Sequence, residues 1–182
     1  MLSRSYSYNI IGDFMEYKSN KEYPKIMVEK ENPEYAKIIL EDYAGIGSEE
    51  TAIHTYIYQN IVLDGEIADT IKHIAMVEMH HLKILGELIH LLGCQPGFYT
   101  IDSNIGYIIP WTSNNVDYNT ILSDVILGNI SREMNAIRQY KNHIQEIDDI
   151  YVKKVLERIV EDEEVHIECF KNLYHKYLGK SC

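Results

Sequence analysis

Two stretches of this chain place a histidine three residues after a glutamate where the pattern is helical. They are Glu78–His81 in "VEMHHL" and Glu163–His166 in "EDEEVHIECF". Residues three apart share one face of a helix, so each pair aims a carboxylate and an imidazole at one point. Such a pair can ligate a metal through oxygen and nitrogen, or handle protons. A third pair, Glu87–His90, starts nine residues after Glu78. Nine residues turn a helix by about 900°, to the opposite side, so this pair is expected at the surface. A lone Glu-x-x-His is more often a surface contact than a site, and context must select among them.

The context is a repeat. "EETAIHTY" carries Glu49, Ala52, Ile53 and Tyr56, and "EMNAIRQY" carries Glu133, Ala136, Ile137 and Tyr140, at identical offsets. The following Glu-x-x-His begins 29 residues after Glu49 and 30 after Glu133. The two halves read as copies of one helical hairpin. This register selects Glu49 over Glu50. Among the acids of "EDEE" it selects Glu163, leaving Glu161, Asp162 and Glu164 as expected solvated groups.

The candidate set is therefore Glu49, Glu78, His81, Glu133, Glu163 and His166. Four inward carboxylates in a dry core require counter-charge. Two divalent cations cancel them, neutral imidazoles complete the shells, and bridging carboxylates can hold two metals ~3.5–4 Å apart. Oxygen-rich ligation with some nitrogen suits Mn or Fe. The four glutamates would bridge the metals and move protons. Tyr56 and Tyr140, two turns beyond Glu49 and Glu133, fit either core tyrosines or donors that orient a carboxylate. His54, His73, His80, His90, His143 and His175 read as surface or core residues.

Four helices must position these groups. The pattern predicts helices over 33–62, 65–92, 117–146 and 148–178. Asn32 and Pro33 open the first, Gly93 closes the second and Asp148 is the expected cap of the fourth. Gly45 and Gly47 could kink or break the first. The joints "LDG" and "ID" are short, which makes each successive pair antiparallel. The segment from Cys94 to Asn115 has two Pro, two Gly and no helical period. A loop of that length suits a crossover along a bundle. The expected fold is all-α: a four-helix bundle over 33–182, two antiparallel hairpins joined by a long crossover, after a mostly irregular segment 1–32.

Composition narrows the function. A chain of 182 residues, 46% hydrophobic, suffices for one buried core. A net charge of −11 argues against nucleic acid and anionic lipid as partners. No apolar run approaches the ~18 residues of a membrane span, and the N-terminal residues lack the apolar stretch of a secretory signal. A cytoplasmic location is the expectation. Three cysteines without a C-x-x-C exclude a four-thiolate site among these residues.

The motifs "YPKI", "NPEYAKIILEDYAGIGSEETAIHTYIYQ", "VEMHHLKILGELI", "EMNAIRQY" and "DEEVHIECF" resemble the ferritin-like superfamily. The resemblance is nearest to its manganese-catalase branch, including short spore-coat proteins of that type, with rubrerythrins as near relatives. It implies a ferritin-like bundle with a dinuclear Mn or Fe centre that disproportionates hydrogen peroxide. Glu49, Glu78, His81, Glu133 and His166 would be ligands. Glu163 would be a ligand in a rubrerythrin-like site, or stand just behind the ligands in a catalase-like one. The alternatives are a di-iron peroxidase or ferroxidase drawing on an external reductant, and a spore-coat component with little activity. The substrate would be hydrogen peroxide or dioxygen, the assembly a homo-oligomer, dimer or larger, and spore association is a further implication.

Overall fold

A computed structural model describes residues 17–102 and 105–179; the rest of the segment 1–32, residues 1–16, lies outside the described residues. The chain forms α1 (Pro33–Ala44), α2 (Glu49–Val62), α3 (Gly65–Leu91), β1 (Tyr99–Ile101), β2 (Ile108–Pro110), α4 (Leu122–Glu146) and α5 (Ile150–Tyr177), with one 3-10 turn at Ser113–Asn115. No described helix is long and apolar enough to cross a membrane.

The bundle is built from α2 packed along α3 and α4 packed along α5, with α1 against α3 and β1. The all-α fold and the two hairpins match the expectation. The first predicted helix, however, is two. The chain leaves α1 at Gly45 with extended backbone, where a side chain would bring its Cβ to 2.5 Å from the Glu41 carbonyl oxygen. Ser48 then caps α2 by accepting from the Thr51 amide at 3.3 Å. The break lets α2 start at Glu49, and its consequence is a gap in the wall of the bundle.

Two further boundaries differ from the sequence reading. The third bundle helix starts at Leu122 rather than 117, because Asp117 accepts from the Asn119 amide and Asn119 from the Ile121 amide, both at 3.0 Å. These side-chain turns compete with the helix for the same amides. The last helix is capped by Asp149, not Asp148. The buried Asp149 accepts from Tyr151 and Val152 amides at 2.9 and 3.2 Å, and from the Glu29 amide at 2.6 Å. Asp148 stays exposed.

The crossover carries the antiparallel β1–β2 hairpin, Tyr99 opposite Pro110. It is tied to α2 by the Trp111 indole, which donates to Thr51 Oγ1 at 2.9 Å, and by the Asp117 amide on Thr55 Oγ1 at 3.2 Å. Residues 17–32 contain no helix and lie as a strap along α5. Arg158 donates to the carbonyls of Lys21 and Ser19 at 3.0 Å each, and its guanidinium stacks 4.2 Å from the Tyr23 ring centre.

A buried ionic contact joins α1 to α4. Asp42 takes His143 Nδ1 at 2.8 Å and the Gln139 amide at 2.8 Å. Burial would lower the His143 pKa, but Asp42 and Glu41 beside it raise it to about 10. At Asp42 burial prevails and lifts the carboxyl above its ordinary value, so the pair is worth less than His143 alone suggests. The His143 contribution is fully present below its ordinary pKa of 6.5 and is lost as pH rises through about 10. Thermal melts of wild type against His143→Gln should therefore differ at pH 6 and converge above pH ~10. A difference that grows with alkalinity would contradict this assignment.

Candidate metal centre

Each half of the bundle delivers three side chains to the middle of the seam. Glu49 stands on the first turn of α2 and Glu133 midway along α4. Glu78 and His81 come from α3, and Glu163 and His166 from α5. All six are buried, between 0% and 5% exposed, in a protein whose other acids mostly face water. Two overlapping groups result: Glu49, Glu78, His81 and Glu163, and Glu78, Glu133, Glu163 and His166. Within each group the ligand atoms lie within 4.8 Å of one another. Glu78 and Glu163 belong to both, the position of bridging groups.

The imidazoles present Nδ1 to this centre. His81 Nδ1 is 2.9 Å from Glu78 and 3.2 Å from Glu163, while His166 Nδ1 is 3.0 Å from Glu163 and 3.1 Å from Glu78. The ring centres are 6.1 Å apart. Glu78 Oε1 and Glu163 Oε1 are buried and accept no hydrogen bond. Acceptor oxygens converging without donors are a poor core and a good cation cradle. The donor set therefore fits two divalent ions.

Protons take the place of cations where none is bound. Burial, then the Glu78 charge, raises Glu49 well above the ordinary range. Burial, then Glu163 and Glu78, does the same to Glu133. At Glu163 burial pushes upward, but His166 and His81 overcome it and hold the group low. Burial opposes charge on the imidazoles too. Glu49 outweighs it at His81 and Glu78 at His166, and both rise well above their ordinary value.

The tyrosines left open by the sequence are hydrogen-bond donors to the centre. Tyr56 of α2 donates to Glu133 of α4, and Tyr140 of α4 donates to Glu49 of α2. The repeat has made one bond twice, crossed between the hairpins. Gln59 and Asn129 add a reciprocal buried amide pair between α2 and α4 at 2.8 and 3.1 Å.

One acid contradicts the sequence reading. Asp162, expected to be solvated, is 0% exposed and stands 3.0 Å from His81 Nε2. Arg158 Nη1 at 2.5 Å, the Ser19 amide at 2.7 Å and Tyr23 also donate to it. Burial raises its pKa, but the bonds from His81, Tyr23 and Arg158 bring it down to about 2. An ionised Asp162 has no proton to give, so His81 Nε2 keeps its hydrogen and Nδ1 is left for a metal. The available signal was its position four residues before His166, a same-face spacing. Glu161 and Glu164 are partly exposed and pair with Lys21 and Lys141. Glu87 and His90 lie at the surface as expected, and Glu87 pairs with Lys83 at 3.0 Å. His54 is exposed against Glu50 at 2.8 Å. His143 is the buried partner of Asp42 described above.

A cavity of about 10 Å³ touches the centre, lined by Glu49, Glu78, Glu133 and Glu163, and leads past Gly47 and Ser48 of the helix break and Arg132 of α4. A volume of this order admits about one water-sized molecule.

The rubrerythrin family model matches residues 43–174, a span that contains all six side chains. The chain belongs to the rubrerythrin family. Among this family member's curated relatives, a probable manganese catalase of Clostridium acetobutylicum is 27% identical over 84% of this chain and 75% of its own length. A bacterioferritin of Desulfovibrio desulfuricans is 31% identical over 67% of this chain and 65% of its own. Of solved structures, a manganese catalase from Anabaena superposes with a TM-score of 0.78 at 24% identity, over 88% of this chain and 80% of that one. The likeness at that identity establishes the shared ferritin-like fold.

The shared position of Glu78 yields a test. Equilibrium dialysis against Mn²⁺ should find two ions per wild-type chain and fewer than one in Glu78→Ala, which strips both groups. Glu50→Gln, outside the cluster, should keep two. Because Glu49, Glu133 and both imidazoles carry protons that a cation must displace, binding should weaken as pH falls and release protons. Proton-independent uptake would contradict the assignment.

Proposed function

We propose that this protein is a dinuclear-metal oxidoreductase that disproportionates hydrogen peroxide. The observation that carries the reading is the pair of overlapping carboxylate–imidazole groups sharing Glu78 and Glu163. It is supported by similarity to a probable manganese catalase along 84% of the chain. The residues would hold two Mn or Fe ions, with Glu49 and His81 on one, Glu133 and His166 on the other, and Glu78 and Glu163 between them. When bound, such a pair supplies a two-electron couple.

The net reaction turns two H₂O₂ into two H₂O and one O₂. One peroxide is reduced and the other oxidised, so electrons balance without a donor. Protons must leave the second peroxide and reach the oxygens of the first. Glu49 and Glu133 suit that task, since burial and neighbouring carboxylates favour their protonated forms. Tyr140 and Tyr56 fix which oxygen of each remains free. The water-sized cavity selects by bulk: peroxide or dioxygen fits where an organic hydroperoxide does not.

The bacterioferritin likeness favours a second reading, oxidation of Fe²⁺ by dioxygen or peroxide at the same residues. The two separate cleanly. With a Mn-loaded sample and no reductant, an oxygen electrode should record one O₂ per two peroxides consumed. Glu78→Ala, checked for helicity by circular dichroism, should lose the rate by at least ~10²-fold. A sample holding two Mn per chain yet evolving no oxygen would refute disproportionation, and rapid Fe²⁺ oxidation would then favour the second reading.

A further inference from the structure

The two hairpins repeat every metal-facing residue: Glu49 with Glu133, Tyr56 with Tyr140, Glu78 with Glu163, His81 with His166. A symmetric site would treat its two ions alike. The repeat fails at one position. Asp162 immediately precedes Glu163, whereas the residue immediately before Glu78 is Val77. Asp162 crosses from α5 to take His81 Nε2 at 3.0 Å. Val77 is apolar and 1% exposed, and His166 Nε2 is buried with no hydrogen-bond partner.

We infer that the two metal positions are unequal and fill in order, the one built on His81 first and more tightly, the one built on His166 second. This rests on the two-metal reading above and adds an order of filling to it.

The cause is the atom behind each imidazole. A carboxylate on the remote N–H fixes the tautomer, locks the ring plane and raises electron density at the ligating nitrogen. Loss of such a partner typically costs 10–100-fold in metal affinity. Asp162 is itself immobilised, by Arg158 of its own helix and by Ser19 and Tyr23 of the strap. His81 is thus presented in one orientation with one protonation pattern. His166 keeps only the contacts of its Nδ1 side, and nothing at Nε2 dictates which nitrogen carries the proton. The strap belongs to this device: residues 17–23 have no ligand among them, yet they hold the carboxylate that distinguishes the two positions.

The experiment is a Mn²⁺ titration of the full chain, with free Mn²⁺ read from its six-line electron paramagnetic resonance signal. Wild type should bind in two steps separated by about 10–100-fold. Asp162→Asn should weaken the tighter step by about that factor and leave the weaker one in place. Val77→Asp should strengthen the weaker step and narrow the gap. If a charge at position 77 or the loss of one at 162 prevents folding, the ligand variants decide: His81→Gln should abolish the tight step, and His166→Gln should retain it. Equal weakening of both steps by Asp162→Asn, or a tight step that survives His81→Gln, overturns the inference while leaving a two-metal site intact. Wild type that binds no Mn²⁺ overturns the two-metal reading as well.

Discussion

Four carboxylates and two imidazoles face each other where no water reaches, and this concentration of charge organises the rest of the molecule. Burying one ion without a partner costs several kcal/mol, so the arrangement exists only because something compensates it. Protons do so in part, which is why Glu49, Glu133 and both imidazoles are displaced upward from their ordinary values. Divalent ions do so fully, and Glu78 and Glu163, each with an oxygen that accepts no bond, are where they would sit. The tyrosines, the strap and the small cavity are all arranged around that charge.

The repeat turns the helical hairpin into a brace. Tyr56 and Tyr140 each anchor the glutamate of the opposite hairpin, so the halves cannot slide without uncovering a buried carboxylate. Asp162 extends the brace outward, from His81 through Arg158 to the backbone of Ser19 and Lys21. The opening in this brace lies at the break between α1 and α2, where Gly47 and Ser48 line the cavity. Gly45 makes that break necessary: its close approach to the Glu41 carbonyl admits no side chain.

The ligand stripe was legible in the sequence because helical spacing fixes faces, and because the same offsets occur twice. Spacing could also dismiss Glu87–His90, which the structure puts at the surface. Asp162 was not legible as a buried group. Three acids flank or follow it, and its burial depends on the strap, whose packing leaves no periodic trace. Asp42–His143 escaped notice for a related reason, since nothing local links residues 101 apart in sequence. The helix start at Leu122 was displaced by Asp117 and Asn119, whose side chains satisfy amides that a helical pattern assigns to the backbone. Local patterns located the chemistry, and long-range bonds decided its surroundings.

The central claim is that the six side chains surround two cations. Crystals grown with Mn²⁺ and measured at the manganese absorption edge address it directly. Two anomalous peaks ~3.5–4 Å apart, both beside Glu78 and Glu163, with His81 next to one and His166 next to the other, are the result the account requires. A single peak, or density for metal elsewhere with these carboxylates hydrogen-bonded only to protein, would contradict it.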